Sequence, residues 1–413
     1  MKTLSKFILT SIENHLCDIS SENYKTLESI LGKDILLKLS KYLENGEDSK
    51  FEKNMKELLQ DKSIQLKIQE LITQNQPKIQ AKSLMSNAQT CKLFYGTNRK
   101  PNDKNDPKQG YGRERADKIH YGICEVHVPE AHQNGKIKGS FFSKLFHFDS
   151  SHGDLELKDI YAYNSEEFWF NLSDFFSPLK DKEKEALVFI HGYNNSFENA
   201  AIRAAQISVD LKHPMLTTFF SWPSKGTLLG YLSDEAAIQY SEPFITEFLI
   251  NFVKQSGAKR IHIIAHSMGN RGLIEAVNRI QKSNPEIKFG QIILAAPDVD
   301  AGVFGQLAPA YSQISEQTTL YVSPSDKAVG ASKWVHSYPR AGFTPPVSIV
   351  PAINTIEVDT DANLLELGHG YFAQQKTLLN DMDKLLSNNL PVSEREQMQK
   401  STENGKVYWK LKS

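Results

Sequence analysis

Ser267 has the setting that most clearly suggests chemistry. It lies in Ala265-His266-Ser267-Met268-Gly269, directly after the apolar run Arg260-Ile261-His262-Ile263-Ile264-Ala265 and directly before a helical pattern that begins at Asn270. A serine on a tight turn between strand and helix needs small residues on both sides, because bulkier ones would collide with the strand or the helix. The turn exposes the hydroxyl and aims backbone N–H groups at the charge that develops on an attacked carbonyl oxygen. The short pattern alone arises often by chance, and its weight comes from sitting between an apolar strand and a helix.

A serine nucleophile needs oxyanion donors, a base and an orienting acid. Upstream, Leu187-Val188-Phe189-Ile190 runs into His191-Gly192-Tyr193-Asn194-Asn195, where Gly192 lets the chain turn sharply. The N–H groups of Met268 and Tyr193 are the expected oxyanion donors. His191 reads as a side chain bracing this loop, because in strand–turn–helix nucleophile folds the order along the chain is serine, acid, histidine. Two histidines follow Ser267. His369, in Leu367-Gly368-His369-Gly370-Tyr371 between the last strand and the last helix, is the expected base. His336, in Lys333-Trp334-Val335-His336, reads as a packing residue. The expected acid is Asp326, in Ser323-Pro324-Ser325-Asp326 after the second strand beyond the serine. Asp298, after the first, is the alternative acid. Asp298 and Asp300 both read otherwise as helix caps.

The elements that must position these residues alternate. Apolar strands are expected at Ala186–Ile190, Thr217–Trp222, Arg260–Ala265, Gln291–Ala296, Thr318–Val322 and Val347–Val358. Helices are expected near Glu198–Leu211, Asp234–Gln255, Asn270–Lys282 and Tyr371–Ser387. Alternation of this kind implies a mostly parallel sheet with helices on both faces and a site at the C-terminal ends of its strands. Earlier strands are expected at Leu93-Phe94-Tyr95 and from Ile119 to Val128, separated by a polar loop from Lys100 to Gly112.

Residues 1–75 read differently. Ile35, Leu36, Leu39, Tyr42 and Leu43 recur at helical spacing, as do Phe51, Met55, Leu58 and Leu59, and then Ile64, Ile68, Leu71 and Ile72. The expected organisation is a helical segment at 1–75, a Gln/Lys/Ser/Asn-rich linker at 76–89, the strand–helix domain at 90–390 and a polar tail at 391–413.

The 413 residues carry a formal net charge of −1, so composition offers no general attraction to nucleic acid or to an anionic membrane. Cys17, Cys91 and Cys124 are odd in number and fit no zinc or redox spacing. They are expected to be reduced thiols of a cytoplasmic protein. After Phe7-Ile8-Leu9 the polar Asn14, His15 and Asp18 come too soon for a secretory signal core. No run approaches the roughly 20 apolar residues of a membrane span.

Several of these stretches together resemble the bacterial α/β-hydrolases described broadly as esterase/lipase superfamily enzymes. They are Phe94-Tyr95-Gly96-Thr97-Asn98-Arg99, His120-Tyr121-Gly122-Ile123-Cys124-Glu125-Val126, Phe189 to Asn194, Phe220-Ser221-Trp222-Pro223-Ser224, Ala265 to Asn270, Leu294 to Asp300 and His369-Gly370-Tyr371-Phe372. The resemblance spans about residues 90 to 388 and implies an α/β-hydrolase fold and a serine hydrolase without metal or organic cofactor. Ala265 stands where the general pattern has glycine. The expected reaction is cleavage of a small-molecule or lipid carboxylic ester through an acyl-enzyme on Ser267. Amide or thioester cleavage would use the same triad. A hydrolase-like fold used for binding or scaffolding is the contrasting reading, with the N-terminal helices as the place for a protein partner or self-association.

Overall fold

The computed structural model describes residue 8 and residues 22–45, 47–75, 90–104, 106–128, 155–211, 213, 215–225, 230–324, 338–358 and 371–412. The chain divides into two compact units, Met1–Ile79 and Gln80–Ser413.

The first unit is helical. Helices α1 (Glu22–Leu31), α2 (Lys33–Glu44), α3 (Asp48–Leu58) and α4 (Lys62–Asn75) follow one another with short breaks. Helix α1 packs on α2 and α4, and α2 packs on α3. Leu27, Leu31, Leu36, Leu39, Phe51, Met55, Leu59 and Ile68 form the core, together with Ile8. Ile35, placed by its spacing on the apolar face, is instead at the surface, because Leu36 and Leu39 are the residues that α2 turns inward.

The second unit is built on one eleven-stranded sheet with the order β10-β11-β9-β8-β7-β6-β4-β5-β1-β2-β3. Its strands are β1 (Thr90–Pro101), β2 (Tyr111–His127), β3 (Glu156–Tyr163), β4 (Glu185–Ile190), β5 (Leu216–Ser221), β6 (Arg260–His266), β7 (Phe289–Ala295), β8 (Ser315–Val322), β9 (Asn354–Val358), β10 (Met398–Glu403) and β11 (Lys406–Leu411). From β11 through β9, β8, β7, β6, β4 and β5 to β1, neighbours run parallel, and antiparallel pairs finish both edges. The central strands read as continuous apolar runs because helices cover both faces. Every residue of β7 is buried, as is all of β4 after Glu185.

Between the strands lie α5 (Ser165–Phe176), α6 (Phe197–Asp210), α7 (Tyr231–Gln255), α8 (Gly269–Ser283), α9 (Ala301–Leu307), α10 (Tyr311–Ile314) and α11 (Tyr371–Asn388). Helix α5 and strand β3 fall in a stretch where the sequence reading placed no element. The signals were present: Asn164 and Glu167 form a capping box, and Phe168, Trp169, Leu172, Phe175 and Phe176 are buried along one face. The last strand before α11 is shorter than expected, Asn354–Val358, because 347–353 is bend and turn.

The segment read as a tail is part of the sheet. Strands β10 and β11 form a hairpin, and β11 lies parallel to β9 with Trp409 opposite Ile356. Charged residues along an edge strand look like loop in sequence, yet they are a common way for an edge to avoid pairing with another chain. Only Tyr408 and Leu411 of this hairpin are buried.

Candidate active site

Strand β6 delivers Ser267 to the C-terminal edge of the parallel sheet, and α8 starts at Gly269. Ser267 has φ +49°, a left-handed conformation that costs an L-residue about 1–2 kcal/mol. Its neighbours enforce that turn. The Ser267 N–H donates to the Ala295 carbonyl (3.0 Å), its carbonyl accepts from the Asp298 N–H (3.1 Å), and Asn270 Nδ2 donates to the carbonyls of Ala265 (3.0 Å) and Ser267 (3.1 Å). A Cβ on Gly269 would lie 2.4 Å from the His191 carbonyl oxygen, so only glycine lets α8 begin this close to the loop after β4. Ser267 is half-buried.

Strands β4 and β6 are paired with Ile190 opposite Ala265, so the residues that follow each strand face one another. A Cβ on Gly192 would lie 2.8 Å from His266 Nδ1 and 2.9 Å from Ser267 Cβ. The His-Gly loop therefore lies directly against the serine. Met268, the residue before α8, is fully buried, and no backbone carbonyl among the described residues accepts from its N–H.

His191 is buried and tied down. Its ring stacks on Trp222 with centroids 5.0 Å apart, and Trp222 Nε1 donates to the His191 carbonyl (2.7 Å). Burial, helped by the Arg99 charge, pushes its pKa down to about 3. His191 is a neutral brace. His266 is likewise pushed down to about 3, by burial and then by Arg203.

Asp298 lies next to the serine in space and is held by several donors. Its carboxylate accepts from Arg340 Nε (2.9 Å), the Tyr231 hydroxyl (2.7 Å) and Arg271 Nη2 (3.1 Å), and its carbonyl accepts from Arg271 Nε (2.6 Å). The segment 339–342 runs along it, with Gly342 N–H donating to the Pro297 carbonyl (2.9 Å) and Ala341 N–H to the Val299 carbonyl (2.8 Å). Asp300 caps α9 through the N–H groups of Gly302 and Val303. Asp326, His336 and His369 lie outside the described residues. In sequence, Asp326 comes four residues after the end of β8, and His369 two residues before the start of α11. Strands β6, β7, β8 and β9 are mutually parallel, so their C-terminal ends share one edge with Ser267.

Two positions that the sequence reading gave no role shape this edge. Arg99, at the end of β1, is fully buried, and Asp234, in the first turn of α7, is fully buried too. Arg99 ends an apolar strand at the sheet edge where sites form, a signal that could have singled it out. Among the described residues no cluster of histidine, cysteine, aspartate or glutamate could hold a metal ion. No described helix is long and apolar enough to cross a membrane.

The parallel sheet, the strained serine turn and the His-Gly loop laid against it define an α/β-hydrolase. Residues 170–388 match the family described as "Alpha/beta hydrolase of unknown function (DUF900)", and the chain belongs to that family. No curated protein matches it. Among solved structures, the chain is similar to a Lactobacillus plantarum WCFS1 protein described as a "putative cell surface hydrolase", at 13% identity and a TM-score of 0.31, over 51% of this chain and 95% of that one. A likeness at that level carries nothing about the site.

Proposed function

We propose that this protein is a serine hydrolase that cleaves a carboxylic ester through an acyl-enzyme on Ser267. The observation that carries the reading is the left-handed Ser267, held by four backbone and side-chain contacts with Gly192 pressed against its Cβ. Backbone strain on a non-glycine residue is retained where it sets a geometry. Here it places the Ser267 side chain at the C-terminal end of β6 beside the His-Gly loop.

In the proposed mechanism His369 takes the Ser267 proton as the hydroxyl oxygen attacks the ester carbonyl. The N–H groups of Met268 and Tyr193 stabilise the oxyanion. His369 then protonates the departing alcohol, and water repeats the sequence to free the acid. Asp326 orients His369. Asp298 fits that role less well, because two guanidiniums already offset its charge and weaken its hold on an imidazolium. The substrate is a small-molecule or lipid ester. The buried free thiols Cys91 and Cys124 suit a reducing, cytoplasmic setting. The N-terminal helices take no part in the chemistry in this reading and contact a protein partner or a second copy.

An ester chain-length series assayed on wild type and Ser267→Ala in parallel tests the proposal. Turnover that depends on acyl length and disappears in Ser267→Ala is the expected result. Turnover that survives in Ser267→Ala would remove the acyl-enzyme.

A further inference from the structure

We propose that Arg99 is a positioning residue that fixes the direction of the Tyr193 N–H through a hydrogen-bonded relay of Ser221 and His191. This rests on the reading of that N–H as an oxyanion donor.

The relay follows from atoms and their capacities. The Gly192 carbonyl oxygen can only accept, so His191 Nδ1, 2.8 Å away, carries the proton. His191 Nε2 is then an acceptor, and the Ser221 hydroxyl donates to it at 3.2 Å. With its proton committed there, Ser221 Oγ accepts from Arg99 Nε at 2.9 Å. Arg99 thus reaches the Gly192 carbonyl in three hydrogen bonds. That carbonyl shares a planar peptide unit with the Tyr193 N–H, which points the opposite way. Holding the oxygen therefore aims the N–H. Burial and the Arg99 charge keep His191 neutral, as an accepting Nε2 requires.

The rest of the guanidinium bonds the same loop and the chain beside it. Arg99 Nη2 donates to the Asn195 carbonyl (2.7 Å), and Nη1 donates to the carbonyls of Ser224 (3.1 Å) and Gly112 (3.1 Å). Asn195 Nδ2 returns to the carbonyls of Gly192 (3.2 Å) and Tyr193 (2.8 Å). Asp234 closes the clamp from α7. It accepts from the Ser224 hydroxyl (2.5 Å), the Lys225 N–H (2.7 Å) and the Asn194 N–H (3.3 Å). Asn194 itself is left-handed, with φ +58°. A fully buried arginine whose hydrogen bonds go to carbonyls and a hydroxyl is an expensive way to stabilise a fold. Burial, with a smaller push from the Arg113 charge, pulls its pKa down to about 9 against the raising effect of Asp234. Three of its acceptors, Asn195 in the His-Gly loop and Ser221 and Ser224 at the C-terminal end of β5, lie at the site edge, which fits positioning better than packing.

The test uses the full chain with p-nitrophenyl acetate as substrate and amide hydrogen exchange over residues 190–197. Ser221→Ala cuts the relay and leaves the other Arg99 bonds in place, Ser221→Thr restores the hydroxyl, and Arg99→Lys removes the planar fork. We expect kcat to fall at least about tenfold in Ser221→Ala and about 100-fold in Arg99→Lys, with KM within about twofold. Ser221→Thr should recover most of the loss. Exchange over 190–197 should quicken in the first and third variants, with other peptides unchanged. Faster exchange with unaltered kcat, or in a chain without esterase activity, would keep the relay and overturn the oxyanion reading. Wild-type exchange and kcat in both Ser221→Ala and Arg99→Lys would overturn the proposal. If Arg99→Lys fails to fold, the Ser221 pair decides the matter.

Discussion

The two ends of the parallel strands are built on different terms. At the C-terminal edge, Ser267 and Ala296 both take left-handed backbone conformations, with φ +49° and +44°. Arg99, Asp234 and Asp298 are buried there among loops. At the N-terminal edge two residues are left-handed, Ala352 just before β9 and Asn389 just past α11, the second a type and position that tolerate it well. Its charges are partly exposed and directly paired: Glu185 with Arg260 (3.3 Å) and with His213, and Arg260 with Glu316. Burial pushes Glu185 up, but His213, His262 and Arg260 outweigh it and hold its carboxyl below the usual range. Left-handed backbone occurs at both edges, and what separates them is charge: the site edge buries its charged groups, while the other pairs them where water reaches.

The sharpest contrast lies within the site edge, between two aspartates. Asp326→Asn should lower kcat on a small ester by about 10⁴-fold with a folded chain and little change in KM, through loss of the His369 partner. Asp298→Asn should leave most activity and instead cost about 3 kcal/mol of stability, because Arg340 and Arg271 each lose a buried counter-charge, Arg271 keeping Glu235. Steady-state kinetics beside denaturant melts would show it. The reverse pattern would make Asp298 the triad acid.

Two glycines carry the comparison between edges. Gly192 at the site edge and Gly290 at the other are equally crowded, a Cβ on Gly290 lying 2.9 Å from the His262 ring. Gly192→Ala must displace the serine or the loop, and kcat should fall about 100-fold or more while the melting temperature moves little. Gly290→Ala should leave kcat alone and cost about 1–3 kcal/mol by overpacking. Equal kinetic effects would erase the distinction.

A smaller effect is the response to acid. His191, His262 and His266 are each held down to about 3, chiefly by burial. The unfolded chain protonates its histidines below about pH 6.5, while these three stay neutral in the fold. Their contribution is therefore complete above about pH 6.5 and is lost as pH falls toward 3. His262→Gln, at the N-terminal edge, keeps an acceptor for the Gln291 N–H and should flatten part of the fall in melting temperature across that interval. An unchanged slope would mean that carboxylates account for all of it.

Much of this was legible because the physics is local. The strand before Ser267 is mostly apolar, and the glycine after it is dictated by steric contact with the His191 carbonyl. The His-Gly loop declares itself in the same way. The α/β architecture followed from the alternation of elements, and the family match agrees with it. The place of Arg99 at the end of an apolar strand was legible but its role was not, because its partners are residues more than a hundred positions away or backbone atoms, and Asp234 was not legible because it acts largely through backbone N–H groups that no sequence displays. The hairpin β10–β11 was missed because its exposed, charged edge resembles a loop, and only Tyr408 and Leu411 mark its inner side.

The central claim is that Ser267 is an activated nucleophile, and a fluorophosphonate probe tests it most directly. The account predicts a single covalent adduct, mapped by peptide mass spectrometry to Ser267 and absent from Ser267→Ala of unchanged melting temperature. An adduct on another residue, or none on well-folded wild type, would contradict it.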